Sequence, residues 1–250
     1  GRVAGAEIVS TTGEPGAGTS IRIRGTRSVS ATNEPLFVVD GVMDGIGDLN
    51  ELNPADIESI QVLKDASSTA IYGSRGSNGV IIITTKIGSA NGKSNLSFRS
   101  DIGVSQLPRF LDLMNATEFA QLQNDRFYFS STANRVKPLE EYPYPNPLSL
   151  GEGTNWTDVI TRTAPYQNHT FTASGGDKVS KFYFSGNYNN TQGIIINSGL
   201  KRYQARLNYD RTFSKYINAG IRLNYSYINQ NVNKADVGSN SLWYRSTIFL

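Results

Sequence analysis

Five stretches in the second half of the chain alternate apolar and polar residues with a period of two. At that spacing, successive strand side chains point to opposite faces. Leu96, Phe98, Ile102 and Val104 share one face, and Asn95, Ser97, Arg99, Asp101 and Ser105 the other. Tyr166 to Ser174 repeats the pattern more weakly, with Phe171 and Ala173 on the apolar side and His169 at the same parity. Lys181 to Tyr188 sets Phe182, Phe184 and Tyr188 against Tyr183, Ser185 and Asn187. Arg202 to Asp210 sets Tyr203, Ala205, Leu207 and Tyr209 against Arg202, Gln204, Arg206 and Asn208. Ile217 to Tyr227 sets Ile217, Ala219, Ile221, Leu223, Tyr225 and Tyr227 against Asn218, Arg222, Asn224 and Ser226. The connections, at about 106–165, 175–180, 189–201 and 211–216, run long, short, long, short. An apolar outer face, a charged inner face and this asymmetry of connections are the signature of a membrane-spanning barrel wall. A soluble β-sandwich also alternates. It does not predict the alternating connection lengths or tyrosines gathered near strand ends.

The first ninety residues follow a different pattern, organised around Ala55 to Lys86. Ile57, Ile60, Val62 and Leu63 predict a short strand. Asp65 is a candidate N-cap for a tightly packed helical turn over Ala66-Ser67-Ser68-Thr69-Ala70. Gly73-Ser74-Arg75-Gly76-Ser77-Asn78-Gly79 is expected to stop that helix, because glycine accepts positive φ. Val80-Ile81-Ile82-Ile83-Thr84-Thr85 reads as a strand buried on both faces. Upstream, Ser20 to Gly25 alternates isoleucine with arginine, and Leu36-Phe37-Val38-Val39 enters a tight hairpin turn at Asp40-Gly41. Within residues 106–165, Asn115 to Gln123 predicts a helix with Asn115 as N-cap and Glu118 completing a capping box. Leu139 to Leu148 is proline-rich, and its Tyr142 and Tyr144 are candidate substrate contacts, with packing of the loop the plainer role.

VLKDASSTAIYGSRGSNGVIIITTK, with PLFVVDGV and IRIRG before it, resembles the plug-domain signature of TonB-dependent outer-membrane transporters, in the SusC/RagA branch found in Bacteroidota. The resemblance implies an α/β plug domain followed by antiparallel transmembrane β-barrel strands, part of a plugged barrel of about 22 strands. It places the plug at residues 1–88, a linker at 89–93, and the first barrel strands with their extracellular loops at 94–250. Arg22, Arg24, Gly25, Asp40, Gly41, Asp65, Tyr72, Gly73, Arg75 and Gly79 then carry the plug motif, in structural or gating roles. Arg22 and Arg24 would face the plug–barrel interface, with Asp101 a candidate partner. The implied function is active import of a glycan or peptide nutrient. The implied partners are TonB energised through ExbB and ExbD, a SusD-like surface lipoprotein, and membrane lipid. The alternative is a structural or secretion-associated barrel that kept the plug signature; a soluble β-rich binding module is a third reading.

Composition narrows the rest. With no cysteine, the 250 residues hold neither a disulfide nor a thiolate metal site. A net charge of +3 with scattered basic residues does not suggest a nucleic-acid surface. The longest apolar run, ending at Thr85, falls far short of the ~20 residues of a membrane helix. No signal peptide opens the chain, so Gly1 reads as an internal start and the sequence as a fragment. Asp40, Asp44, Gly45, Asp48 and Glu51 match an EF-hand loop in part. Val42 breaks that match, and a strand precedes it where a helix is required. The Gly73–Gly79 turn leaves a helix and enters a strand, the reverse of a phosphate loop. No catalytic triad, paired acid and base, cofactor motif or metal cluster is evident, and no enzyme activity is expected.

Overall fold

The computed structural model describes residues 6–10, 13–23, 34–65, 69–109, 112–130 and 138–232. They fall in two compact units, one within residues 1–103, 165–192 and 199–231, the other within 104–164, 193–198 and 232–250. Among the described residues, no helix is long and apolar enough to cross a membrane, which says nothing about strands.

The first unit begins with a hairpin of β1 (Ala6–Ser10) and β2 (Thr19–Ile23). A four-stranded mixed sheet follows, ordered β4 (Val42–Met43), β3 (Leu36–Val39), β6 (Val80–Thr85), β5 (Ile57–Leu63). β3 runs parallel to β6, and β4 and β5 are antiparallel to their neighbours. The unbroken apolar run at 80–83 now has its explanation. Ile81 and Ile83 pack with Ile21, Ile23, Val39, Ile46 and Leu52 on one face. Val80 packs with Leu36 and Val38 on the other, and Tyr72 and Leu63 lie against them. Asp40 (φ 50°) and Gly41 (φ 88°) make the tight β3–β4 hairpin that the sequence predicts. Gly79 (φ 96°) also needs its glycine, because a Cβ would strike the Ile23 side chain.

One segment differs from expectation. Ala70–Asn78 winds as a 3-10 helix broken at Gly73 (φ 61°, ψ −148°), so the glycine-rich stretch is helical turn rather than open loop. Asp65 supports it through its backbone carbonyl, which accepts from Thr69 N at 3.0 Å and Thr69 Oγ1 at 3.2 Å. Residues 66–68, Arg24 and Gly25 lie outside the described residues.

The five alternating stretches form one antiparallel sheet, ordered β11 (Ile217–Asn231), β10 (Gly199–Ser214), β9 (Ser180–Gln192), β8 (Ala164–Gly176), β7 (Asn95–Ser105). The strands are longer than their alternating cores. Asn190 and Thr191 look like loop residues but pair with Lys201 and Leu200. The third connection therefore shrinks to 193–198, and the two short ones to 177–179 and 215–216. Burial inverts the soluble pattern. Leu96, Phe98, Leu207, Ile221 and Leu223 are exposed, while Tyr183, Ser185, Gln204, Arg206 and Asn208 are buried. On the outer face Phe98, His169, Tyr188, Tyr203 and Tyr227, one from each strand, form a row with neighbouring ring centroids 5.0–6.3 Å apart. The Asp177 carboxylate closes the 177–179 turn on the Ser180 and Val179 amides. Those bonds, Ser180 first, hold it below the usual carboxylate range, so its contribution persists at neutral pH and is lost only in acid.

In the second unit, α1 (Ala116–Ser130) starts with the expected capping box. Glu118 N donates to Asn115 Oδ1 at 2.8 Å, and Asn115 N donates to Glu118 Oε2 at 2.9 Å. A shorter helix, α2 (Trp156–Ile160), precedes Arg162, whose guanidinium donates to the carbonyls of Gly193 and Ser198.

Two outcomes test this architecture. Leu223→Lys should destabilise the full-length protein in lipid by ~2–4 kcal/mol if the residue lies near the midplane, while Asn224→Lys is mild; spin labels showing water at Leu223 and lipid at Asn224 would reverse the register. Asn115→Ala should cost ~1 kcal/mol locally, seen as faster amide exchange in the first turn of α1 with the strands unchanged.

Candidate functional site

The inward face of β10 meets the mixed sheet and its connecting turns at every second residue. Arg202 donates to Asn50 O at 2.7 Å, and Gln204 to Glu51 O at 2.6 Å. Arg206 Nη1 donates to Asp40 Oδ2 at 3.3 Å and Thr85 Oγ1 at 3.2 Å. Asn208 Nδ2 donates to Thr85 Oγ1 at 2.9 Å and Lys86 O at 2.8 Å. The period of two produces this ladder, because alternate residues of one strand share one face.

Three charges lie at its centre. The side chains of Arg206, Asp40 and Asp56 are 3%, 14% and 4% exposed. Asp40 takes the Thr85 N–H on Oδ1 at 2.8 Å and the Thr85 hydroxyl on Oδ2 at 2.7 Å. The Thr85 hydroxyl thus donates once and accepts twice, which uses its full capacity. Asp56 accepts from Tyr183 Oη at 2.9 Å and Ser185 Oγ at 2.7 Å, both on β9. Arg206 Nε stands 3.9 Å from Asp56 Oδ2, an ion pair without a hydrogen bond. Arg206 Nη2 donates to Asn224 Oδ1 at 3.2 Å and so reaches β11.

Local structure sets each group. The parallel register pairs Val39 with Ile83, and the positive φ of Asp40 then turns its carboxylate to Thr85. Asn53 caps the 3-10 turn Pro54–Asp56, whose last residue reaches β9. Below the charges, Gly88 lies flat against the paired residues Gly175 and Phe182, where a Cβ would collide with the backbone of both. Gly92 N donates to Gly176 O at 2.9 Å. The polar stretch after β6 is therefore seated on the β8–β9 hairpin by backbone contact.

The structure brings together only some of the residues expected here. Asp40 stands at the centre of the seam, while Gly41 is exposed in the β3–β4 turn. Arg22 is exposed, and Asp101 is paired with Arg99 on its own strand at 2.9 Å. The buried guanidinium of the seam belongs to β10 and the carboxylates to the mixed sheet, the opposite polarity to a plug arginine seeking a wall carboxylate. Tyr72 packs on the Leu36–Val38–Val80 cluster, and Arg75 pairs with the half-exposed Asp44. Asp48 accepts from Asn50 N at 2.7 Å and Glu51 from Gly47 N at 3.2 Å, so the EF-hand-like acids are spent on turns. Tyr142 and Tyr144 pack edge-on against Phe127 and Phe119 of α1, with ring centroids 5.7 and 6.4 Å apart. Asp56, Thr85, Tyr183, Ser185 and Asn208 were missed as site residues. For Tyr183, Ser185 and Asn208 the only sequence signal was polarity at inward parity, while Asp56 ends a 3-10 turn and Thr85 ends β6.

A family model described as the TonB-dependent Receptor Plug Domain matches residues 1–80. TonB-dependent receptor P26 of Formosa agariphila is 39% identical over 92% of this chain and 23% of that receptor. TonB-dependent receptor SusC of Bacteroides thetaiotaomicron is 36% identical over 96% of this chain and 23% of its own length. The RagAB peptide importer in its closed-closed state superposes with a TM-score of 0.77 at 30% identity, over 92% of this chain and 28% of the solved one. The chain belongs to the SusC/RagA family of TonB-dependent receptors. It spans about a quarter of the length of the relatives it matches. The mixed sheet is the plug, and the five-stranded sheet is part of the barrel wall. The open-open state of RagAB also superposes with a TM-score of 0.77, at 29% identity over 94% of this chain.

In this SusC/RagA chain the seam is predicted to depend on charge balance. Arg206→Ala strands two carboxylates and should cost ~3–5 kcal/mol, read as a lower unfolding temperature and faster proteolysis of the plug in the full-length receptor. Arg222→Ala breaks the partly exposed pair with Asp210 and should cost only ~0–1 kcal/mol. Equal losses would show that the buried network does not hold the plug.

Proposed function

We propose that the full-length protein is an outer-membrane importer that takes up an oligosaccharide or oligopeptide by remodelling its plug. The supporting observation is the polar seam. A closed, plugged wall whose contacts are hydrogen bonds and ion pairs exchanges those contacts for water at modest net cost. A dry apolar seam would resist separation. The outward aliphatic and aromatic face suits lipid, which supports a multi-pass barrel in the outer membrane. We take residues 1–88 as plug, 89–93 as linker and 94–250 as the beginning of the wall with its extracellular loops. Substrate would enter from the outside, under a SusD-like lipoprotein. TonB, energised through ExbB and ExbD, would pull the plug from its N-terminal side. Tyr142 and Tyr144, seated on α1, would offer their rings to substrate, and Arg24 and Gly25 would belong to the plug motif. Catalysis has no place in this reading.

Uptake decides it. Cells carrying the full-length receptor and its neighbouring lipoprotein should accumulate a labelled oligosaccharide or oligopeptide only with TonB and a proton gradient. Unchanged uptake after a protonophore would overturn active import and favour a structural barrel. Folded protein recovered from the soluble periplasm would remove the barrel reading altogether.

A further inference from the structure

The outward face of the five-stranded sheet is layered. The ladder registers Asn190 with Lys201 and Lys201 with Asn229, so three polar residues stand side by side on β9, β10 and β11. Two residues along each strand, Tyr188, Tyr203 and Tyr227 are in register. His169 extends that ring row onto β8, stacked on Tyr188 with centroids 6.2 Å apart. Beyond the rings, Phe184, Leu207 and Leu223 are in register and exposed. At the far end the Arg211 guanidinium lies 5.3 Å over the Phe213 ring. β8, β9 and β10 each have a neighbour on both sides, so their outward exposure does not depend on strands beyond this chain.

Charge on this face is sparse and of one sign. The outward positions of β7 to β11 carry no Asp or Glu; Asp101 and Asp210 point to the other face, where each pairs with an arginine. Lys201 and Arg211 are both exposed on β10, ten residues apart. At ~3.3 Å per residue that is ~33 Å of strand. A tilt of ~40° turns it into ~25 Å of height, which matches the apolar band of a membrane barrel. The two cations therefore stand at the two edges of the band. Arg211 feels the carboxylate of Asp177 in the neighbouring turn. Lys201 makes no ion pair among the described residues. It lies at the same end of the sheet as the long 106–163 connection, so its edge is the extracellular one.

We propose that Lys201, flanked by the side-chain amides of Asn190 and Asn229, binds the phosphate of an anionic lipid headgroup in the outer leaflet. This rests on the barrel reading above. Neighbouring strands are ~4.8 Å apart, so the three side chains lie within reach of one phosphate group. The lysine stem can lie along the tyrosine row and hold its ammonium at headgroup level. A cation and amides over rings, with aliphatic side chains below, reproduce the order of headgroup, interface and acyl chain in a leaflet. A protein partner would not require layers spaced at the height of a bilayer, and the acid-free face leaves the cation to an anion from outside the chain.

Native mass spectrometry of the full-length receptor in detergent, titrated with phosphatidylglycerol, tests this. The receptor should retain phosphatidylglycerol over phosphatidylcholine, and Lys201→Gln should lower that retention several-fold. Lys201→Arg should keep it, and the inward-facing Lys181→Gln should not change it. Equal retention by the wild type and Lys201→Gln would overturn the inference. Spin labels on the receptor in phosphatidylglycerol vesicles set the level separately. A label at Asn190→Cys should meet a water-soluble nickel quencher, and one at Leu207→Cys should meet oxygen dissolved in the bilayer. A label at Asn190→Cys shielded from both would show that protein covers this face, and would overturn the inference while leaving the barrel standing. Nickel access at Leu207→Cys equal to that at Asn190→Cys would remove the barrel reading and the inference with it.

Discussion

A buried guanidinium held by two carboxylates from another part of the chain governs this structure. Arg206 lies on the inner face of a strand whose outer face suits lipid, so neither bulk water nor hydrocarbon can solvate it there. Burying one charge alone is prohibitive. Asp40 and Asp56 supply the opposite charge, and hydroxyls of Thr85, Tyr183 and Ser185 supply the hydrogen bonds that make the carboxylates tolerable. Thr85 links two levels of organisation. It ends the strand that forms the plug core, and its hydroxyl serves Asp40, Arg206 and Asn208 together. Core packing and wall attachment are therefore coupled through one strand.

Much of this was legible in the residues because each half of the chain obeys a simple period. The run at Val80–Ile83 required cover on both faces and has it. Leu207 and Arg206 took the predicted sides of β10, and the Asn115–Glu118 spacing made the predicted reciprocal cap. What escaped was long-range pairing. Alternation identifies Arg206 as inward but cannot say that its counter-charges lie at Asp40 and Asp56, and no local pattern links residues that far apart. Strand ends escaped for a related reason. Asn190 and Thr191 have no apolar partner to keep the alternation visible, yet their backbones remain in the ladder. Gly88 reads as an ordinary glycine at the end of the plug, although the space it leaves is filled by strand backbone. A close approach of two main chains leaves no side-chain trace except the missing one.

The direction of the ion pair has a physical reading too. An arginine on the plug would need its carboxylate partner on the wall, where short acidic side chains reach only a short way into the lumen. Arg206 extends from β10 far enough to meet two plug carboxylates and Asn224 of the next strand with separate nitrogens. One planar group with several donors can thus gather groups from the plug and from the neighbouring wall strand.

A polar seam also specifies position in a way an apolar one would not. Apolar contacts are non-directional and tolerate sliding, whereas the ladder of Arg202, Gln204, Arg206 and Asn208 matches donors to particular acceptors at two-residue steps. A one-residue slip of β10 would turn Leu207 toward the plug and Arg202 and Arg206 toward lipid. A two-residue slip would bring Gln204 or Asn208 opposite Asp40, leaving the carboxylates without their cation. Both wrong registers are penalised by charge, not by shape alone. The same interactions that make the seam costly to misplace are ones that water can replace. The plug can therefore be held in one position by contacts that remain exchangeable with water.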